Sequence, residues 1–260
     1  MFNYLLLFSI VFSSNLIIGV LLGMSGISGF LLPLIYVGLL TIPVHDSLAL
    51  SFLSFAVSGI IGSYSYWKSK NMDLKLALYL SIGSLPGAFL GVQINVFISD
   101  FLAKLLLYIF VLLAGLSILV KKTNQSTEPL KKQSTLLDKP LMVILLGFIT
   151  AGICSLTGAG GPILVVPLLA SLGVPIRTAV GVGLLNSIVI AIPSIFGYFA
   201  YSTMGNIKML VISSLLGTVI GIVTGARLAN KVSIHHLKII IAIITIFSSV
   251  YMLIMLKVGA

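Results

Sequence analysis

The chain has 260 residues, of which 59% are hydrophobic and only 8% charged, with a formal net charge of +10. At a mean hydropathy of +1.23 it is excluded from the class of water-soluble domains and belongs in a bilayer. Its 15 Lys and Arg are spread over connecting segments rather than gathered on one face, which excludes a nucleic-acid footprint and reads as a topology signal.

Apolar runs fall at about 4–22, 30–41, 46–66, 74–96 and 101–120 and, after a polar segment, at about 140–156, 162–173, 178–200, 207–226 and 234–256. The opening M-F-N-Y-L-L-L-F-S has no basic region ahead of the first run and no small-residue cleavage pattern after it, so that run reads as a retained span rather than a signal peptide. The second run of each set is too short to cross a bilayer comfortably. Each short run follows a glycine cluster, G-M-S-G-I-S-G-F-L-L-P-L from Gly23 to Leu34 and T-G-A-G-G-P-I-L-V-V-P-L-L from Thr157 to Leu169, and each ends at a proline-marked turn, Pro43 or Pro175. Glycines inside apolar sequence release backbone N–H groups from the helical ladder, and hydrocarbon tolerates such groups only where protein, water or a ligand satisfies them. A helix that starts just beyond the cluster turns its unpaired N–H groups and the positive end of its dipole back toward the break. The expected product is an anion-sized socket.

The pattern occurs twice. At an offset of 134 residues Gly26 matches Gly160, Pro33 matches Pro167, and Gly83, Gly87 and Gly91 match Gly217, Gly221 and Gly225; in the middle the offset slips to 132, pairing Pro43 with Pro175, Ser54 with Asn186 and Tyr66 with Tyr198. The expected architecture is an all-α polytopic membrane protein of two homologous repeats, residues 1–120 and 140–260, joined by a linker, 121–139. Each repeat would hold one glycine-broken helix hairpin and three further transmembrane helices. The linker carries five lysines, which the positive-inside rule places in the cytoplasm. An inverted arrangement of the halves puts 12 Lys and Arg on the linker side and three on the other, whereas a parallel one gives 10 and five. Matched loops also reverse their bias: 67–75 has three lysines and its partner 201–208 one, while 97–104 has one and 227–238 has three cations. Inversion, with both termini outside, is the expected topology. The G-x-x-x-G ladders at Gly83 and Gly217 read as close helix packing.

Candidate anion-binding residues are Ser25, Gly26, Ser28 and Gly29 at the first break and Thr157, Gly158, Gly160 and Gly161 at the second. Asn186, mid-span in G-L-L-N-S-I-V-I, and its counterpart Ser54 face protein or a cavity rather than lipid, as ligand contacts or as glue between helices. The five acidic residues, Asp46, Asp73, Asp100, Glu128 and Asp138, fall in loops or at the starts of apolar runs, and none reads as intramembrane. His45, His235 and His236 lie in turns as solvated groups, with no Cys or carboxylate at metal-ligand spacing. Cys154 is the single cysteine, which excludes an internal disulfide and suits small-residue packing. Arg177 suits the negative end of the short helix before it, and Ser99 and Ser233 suit helix N-caps. No nucleophile stands with its base and no phosphate-binding lysine loop exists, so neither an enzyme nor an ATP-driven pump is supported, and no cofactor is implied.

The chain resembles the TauE/SafE sulfite exporter (TSUP) family. The resemblance rests on the doubled glycine break followed by P-L-I or P-L-L, on K-S-K-N-M-D-L-K-L-A-L from Lys68 to Leu78, and on G-S-L-P-G-A-F-L-G from Gly83 to Gly91. It covers nearly the whole chain and both halves, although the first break departs from the usual glycine run in having Ser28 where glycine is typical. The resemblance implies a secondary transporter, commonly an exporter, of sulfite, sulfonates and related small anions across the cytoplasmic membrane. Its partners would be the anion and the lipid bilayer, with a homo-oligomer neither required nor excluded. A passive anion channel on the same fold and a non-transporting membrane scaffold are the alternatives.

Overall fold

A computed structural model describes residues 4–26, 28–120, 134, 136–205, 207–228 and 234–258. Most of the 121–139 linker, Lys231, Ser233 and the side chains of His235 and His236 lie outside the described residues. The described chain is helical: α1 (Tyr4–Ser25), α2 (Ser28–Leu39), α3 (Val44–Lys68), α4 (Leu74–Phe97), α5 (Asp100–Val120), α6 (Pro140–Thr157), α7 (Gly161–Ser171), α8 (Ile176–Ala200), α9 (Ile207–Leu228) and α10 (Ile234–Val258). All but α2 and α7 are long and apolar enough to cross a membrane, eight helices among the described residues. The protein is therefore multi-pass, with the bilayer as its solvent. Large apolar side chains such as Phe97, Phe196 and Phe247 point outward, as a lipid-facing surface requires.

Every helix corresponds to one apolar run of the sequence, with boundaries shifted by at most three residues. Local chemistry sets several ends. Asp73 caps α4 by accepting from the Leu76 N–H at 2.9 Å, Ser99 accepts from the Leu102 N–H at 3.3 Å, and Pro43 and Pro175 stand in extended conformation immediately before α3 and α8. One short helix is less regular than its run suggests. α2 is a 3-10 turn (Ser28–Phe30), a single α-turn (Leu31–Leu34) and a π-turn (Ile35–Leu39) in succession, whereas α7 is a plain α-helix.

The two glycine ladders do what their spacing predicts. A Cβ on Gly83, Gly87 or Gly91 would collide with the backbone of α6 at Ile144, Phe148 and Gly152, and one on Gly217, Gly221 or Gly225 with the backbone of α1 at Phe12, Leu16 and Val20. The rising residue numbers on both sides make each pair parallel. Each ladder thus grips the first helix of the other half of the chain. Between these pairs lie α3 and α8, the most enclosed spans. They run antiparallel: Tyr66 near the end of α3 packs on Gly181 near the start of α8, Gly59 and Gly62 pack on Leu184, and Asp46 at the start of α3 reaches Ser202 beyond the end of α8. Gly115 of α5 packs on Thr245 and Ile246 of α10.

Candidate functional site

The second break is built by three backbone adjustments in succession. Gly158 ends α6 in the left-handed region at φ 72° and donates to the Cys154 carbonyl; the Ala159 N–H donates to the same carbonyl at 3.1 Å. Gly160, at φ 75°, then redirects the chain as the N-cap of α7, a conformation that only glycine adopts without strain. Cys154 fastens the turn from beneath, since its thiol donates to the Gly160 carbonyl at 3.1 Å. Among the described residues nothing accepts from the N–H groups of Gly160 and Gly161, so the start of α7 keeps open donors. At the first break Gly26, at φ 73°, closes α1 by donating to the Leu22 carbonyl at 2.7 Å before the Ser28–Phe30 turn begins.

Both breaks open onto one crevice. Its walls include Gly26 and Gly29 from the first, Gly160 and Ile163 from the second, and Phe55, Ser58 and Ser187 from the centres of α3 and α8. They fall in pairs at the sequence offsets noted above: Gly26 with Gly160 and Gly29 with Ile163 at 134, Phe55 with Ser187 at 132. Phe55 and Ser187 sit near the middle of two 25-residue helices, so the crevice lies midway along α3 and α8. It is narrow, about 10 Å³, which is roughly the room one water needs. The Phe55 ring fills the space between the breaks, such that a Cβ on Gly29 would stand 2.7 Å from its Cε1 and one on Gly160 3.1 Å from its Cε2.

The structure sorts the sequence candidates. Gly26, Gly29 and Gly160 line the crevice, and Gly161 lies against the Ser187 backbone, with 3.2 Å left for a Cβ. Gly158 is set back, packed on Leu48. The hydroxyls of Ser25 and Thr157 are turned away, donating to the carbonyls of Leu21 and Ile153 at 2.7 Å, as hydroxyls in apolar helices commonly do. Ser28 is buried and its hydroxyl has no partner among the described residues. The same holds for both amide atoms of fully buried Asn186, which adjoins Ser187 in sequence but is not on the crevice wall. Ser54 is also off the wall; it belongs to a separate polar cluster with Asn15, Ser214 and Thr218. Phe55, Ser58 and Ser187 were not singled out from the sequence. The 132-residue offset that pairs Ser54 with Asn186 also pairs Phe55 with Ser187, one position on, and was the available signal.

One reading of the sequence needs correction, and one residue is more enclosed than its position suggests. Asp46 is at the start of a run, as expected, but it is wholly enclosed: Ser202 Oγ donates to its Oδ1, and the Thr203 N–H and hydroxyl donate to Oδ2 at 3.3 Å. His45 is not a solvated turn residue; it is half-buried and stacks on Tyr198 at 6.0 Å, with Tyr201 at the same distance. Tyr198 in turn donates to the Ser155 carbonyl at 2.7 Å. Together these contacts fasten the α3 start to the end of α8 and the segment after it, and close that end of the α3–α8 pair. Among the described residues no group of three His, Cys, Asp or Glu side chains gathers as a metal site would require.

Residues 11–252 match the family described as "Sulfite exporter TauE/SafE". The chain belongs to this family. TauE/SafE proteins are transporters rather than enzymes. This TauE/SafE chain is similar to "Probable membrane transporter protein YdhB" of Bacillus subtilis (strain 168), 29% identical over 82% of this chain and 87% of that one. It is also similar to "Probable membrane transporter protein YjnA" of the same organism, 26% identical over 90% and 95%, and to "Probable membrane transporter protein MJ0441" of Methanocaldococcus jannaschii, 29% identical over 97% of each chain. No solved structure matches it.

Proposed function

We propose that this TauE/SafE protein is a secondary transporter that carries a small sulfur-containing oxyanion, sulfite or an organosulfonate, outward across the cell membrane. The single observation that carries this reading is the convergence of both glycine breaks on one crevice midway along α3 and α8. Open N–H donors at the start of α7 and its dipole favour negative charge there, and no carboxylate lines the wall to oppose it. An oxyanion larger than a water cannot enter unless Phe55 moves or α3 and α8 part. That requirement favours a carrier over an open pore.

The halves, residues 1–120 and 140–260, are read as inverted repeats about an axis through the crevice. Equivalent helices α3 and α8 run antiparallel, and the α1–α9 and α4–α6 contacts match under the repeat. A parallel duplication would have α3 and α8 running the same way. Inverted repeats place a substrate site at their interface and alternate its exposure by rocking about it. The reading is tested by thermal-shift and uptake measurements on purified, reconstituted protein with sulfite, thiosulfate, sulfoacetate, sulfate and carboxylate analogues. A sulfur oxyanion should stabilise the fold and be taken up, because a ligand that binds only the folded state must stabilise it; stabilisation by none of them would remove the substrate class.

A further inference from the structure

The polar cluster that takes Ser54 away from the crevice has a composition of its own. Asn15 of α1, Ser54 of α3, and Ser214 and Thr218 of α9 are all essentially fully buried, and all sit near the middle of their spans. Four side-chain oxygens are drawn into mutual contact: Asn15 Oδ1 lies 3.0 Å from Ser54 Oγ, 3.2 Å from Ser214 Oγ and 3.1 Å from Thr218 Oγ1, while Ser54 Oγ lies 2.9 Å from Ser214 Oγ and 3.1 Å from Thr218 Oγ1. Ser54 Oγ also reaches the Leu50 carbonyl at 3.2 Å. These are six close oxygen–oxygen contacts; the Tyr36 hydroxyl, which also pairs with Ser214, adds a seventh, and the four hydroxyls bring four protons to serve them. Each hydroxyl finds an acceptor, and the oxygens crowd together in more contacts than four protons can serve singly. The Asn15 amide is held with its oxygen inward, because its Nδ2 donates to the Val11 carbonyl at 2.7 Å and to the Tyr36 hydroxyl at 2.5 Å. The π-turn of α2 is what carries Tyr36 to that position, and π-turns inside helices commonly mark functional sites.

A buried, acceptor-rich knot of neutral oxygens is what a hard cation seeks. We propose that Asn15, Ser54, Ser214 and Thr218 form a binding site for one monovalent alkali cation, sodium in the first instance, bound together with the transported anion. The charge is set by the donors: no carboxylate belongs to the knot, so a divalent ion would leave two uncompensated charges in hydrocarbon, whereas a single positive charge beside the crevice is balanced by the anion itself. A proton is a poor occupant, since neither hydroxyls nor an amide take one up near neutral pH. Coupling follows from adjacency. Ser54 is followed by Phe55, the ring that fills the crevice, so spreading the oxygens around an ion shifts the turn of α3 that carries the ring. The site is single. At the repeat offsets its members fall on Ile149, Asn186, Leu80 and Ser84, which provide no matching set of oxygens.

The inference rests on the transport reading for its purpose but not for its test. Purified protein is melted in sodium chloride, potassium chloride and choline chloride at equal ionic strength, without any sulfur anion. Sodium at ten times its Kd should raise the melting temperature over choline by about 3 to 6 °C. Ser54→Ala and the near-isosteric Thr218→Val should lose that increment, whatever their melting point in choline, and Thr224→Val, at an exposed hydroxyl of the same helix, should keep it. Equal melting of the parent protein in all three salts, or variants that keep the parent's sodium increment, would overturn the site. Sulfite stabilisation that is the same in choline as in sodium would overturn the coupling while leaving the anion site standing.

Discussion

Gly160 faces the flat edge of the Phe55 ring, and at φ 75° it has neither the space nor the backbone conformation for a side chain. The contact joins the second break to the centre of α3. It makes Phe55 the plug of the crevice and Gly160 the residue that seats it.

Phe55→Ala should enlarge the crevice. Larger organosulfonates should then compete with sulfite in uptake assays where the parent protein discriminates against them. The variant should also lose about 3 to 5 kcal/mol of stability, read as a lower melting temperature in detergent. Unchanged selectivity would mean that the ring does not define the site.

Gly160→Val and Gly161→Val should insert normally but bind the anion about a hundredfold more weakly or worse. The basis is the loss of two charge-assisted hydrogen bonds at about 1.5 to 3 kcal/mol each. Thr157→Ala should cost no more than about tenfold, since its hydroxyl is committed to the Ile153 carbonyl. Direct binding of labelled anion to folded protein checks both, and valine variants that bind like the parent would reduce these glycines to packing residues.

Cys154→Ala should keep transport within a few-fold. It removes one weak donor to the Gly160 carbonyl, while the left-handed glycines hold the turn. Abolished transport at normal membrane abundance would show that the thiol does more than fasten the break.

In a Cys154→Ala background, cysteines placed at Lys70 and at Lys208 should label from opposite faces of the membrane, Lys70 from the cytoplasm. Both positions labelling from one face would exclude inversion of the halves.

Asp46→Ala should release the segment after α8. Its carboxylate gathers the Ser202 hydroxyl together with the Thr203 amide and hydroxyl, and hydrogen bonds to a charged group contribute about 1.5 to 3 kcal/mol each. Faster amide exchange at Thr203 is the expected readout, and unchanged protection would show the segment to be held by the His45 and Tyr198 stacking alone.

The spans and breaks were legible in the sequence because a bilayer enforces them. Apolar length fixes each crossing, and a glycine cluster between two apolar runs has few meanings in hydrocarbon. The ladder glycines were legible as close-packing positions for the same reason, although not which helix each would meet. Less legible were features decided by which way one face of a helix turns. Ser54 and Phe55 are neighbours in sequence, yet one belongs to the oxygen knot and the other to the crevice, and only the rotation of α3 decides which. The enclosure of Asp46 depends on a segment more than 150 residues away, as the Ser202 and Thr203 contacts show. The π-turn that presents Tyr36 comes from a run whose composition is as apolar as that of the regular α7.

The grip of each glycine ladder on the first helix of the opposite half has a consequence for biosynthesis. When α1 leaves the ribosome, the surface that will cover Gly19 and Gly23 is the ladder face of α9, which has yet to be translated. Until then Asn15 lacks the donors Ser214 and Thr218 and keeps only its first-half partners Val11, Tyr36 and Ser54, with one face of α1 left against lipid. The first half is thus an open clasp during synthesis, and a chain truncated after the linker should be cleared by membrane proteases rather than persist as half a transporter.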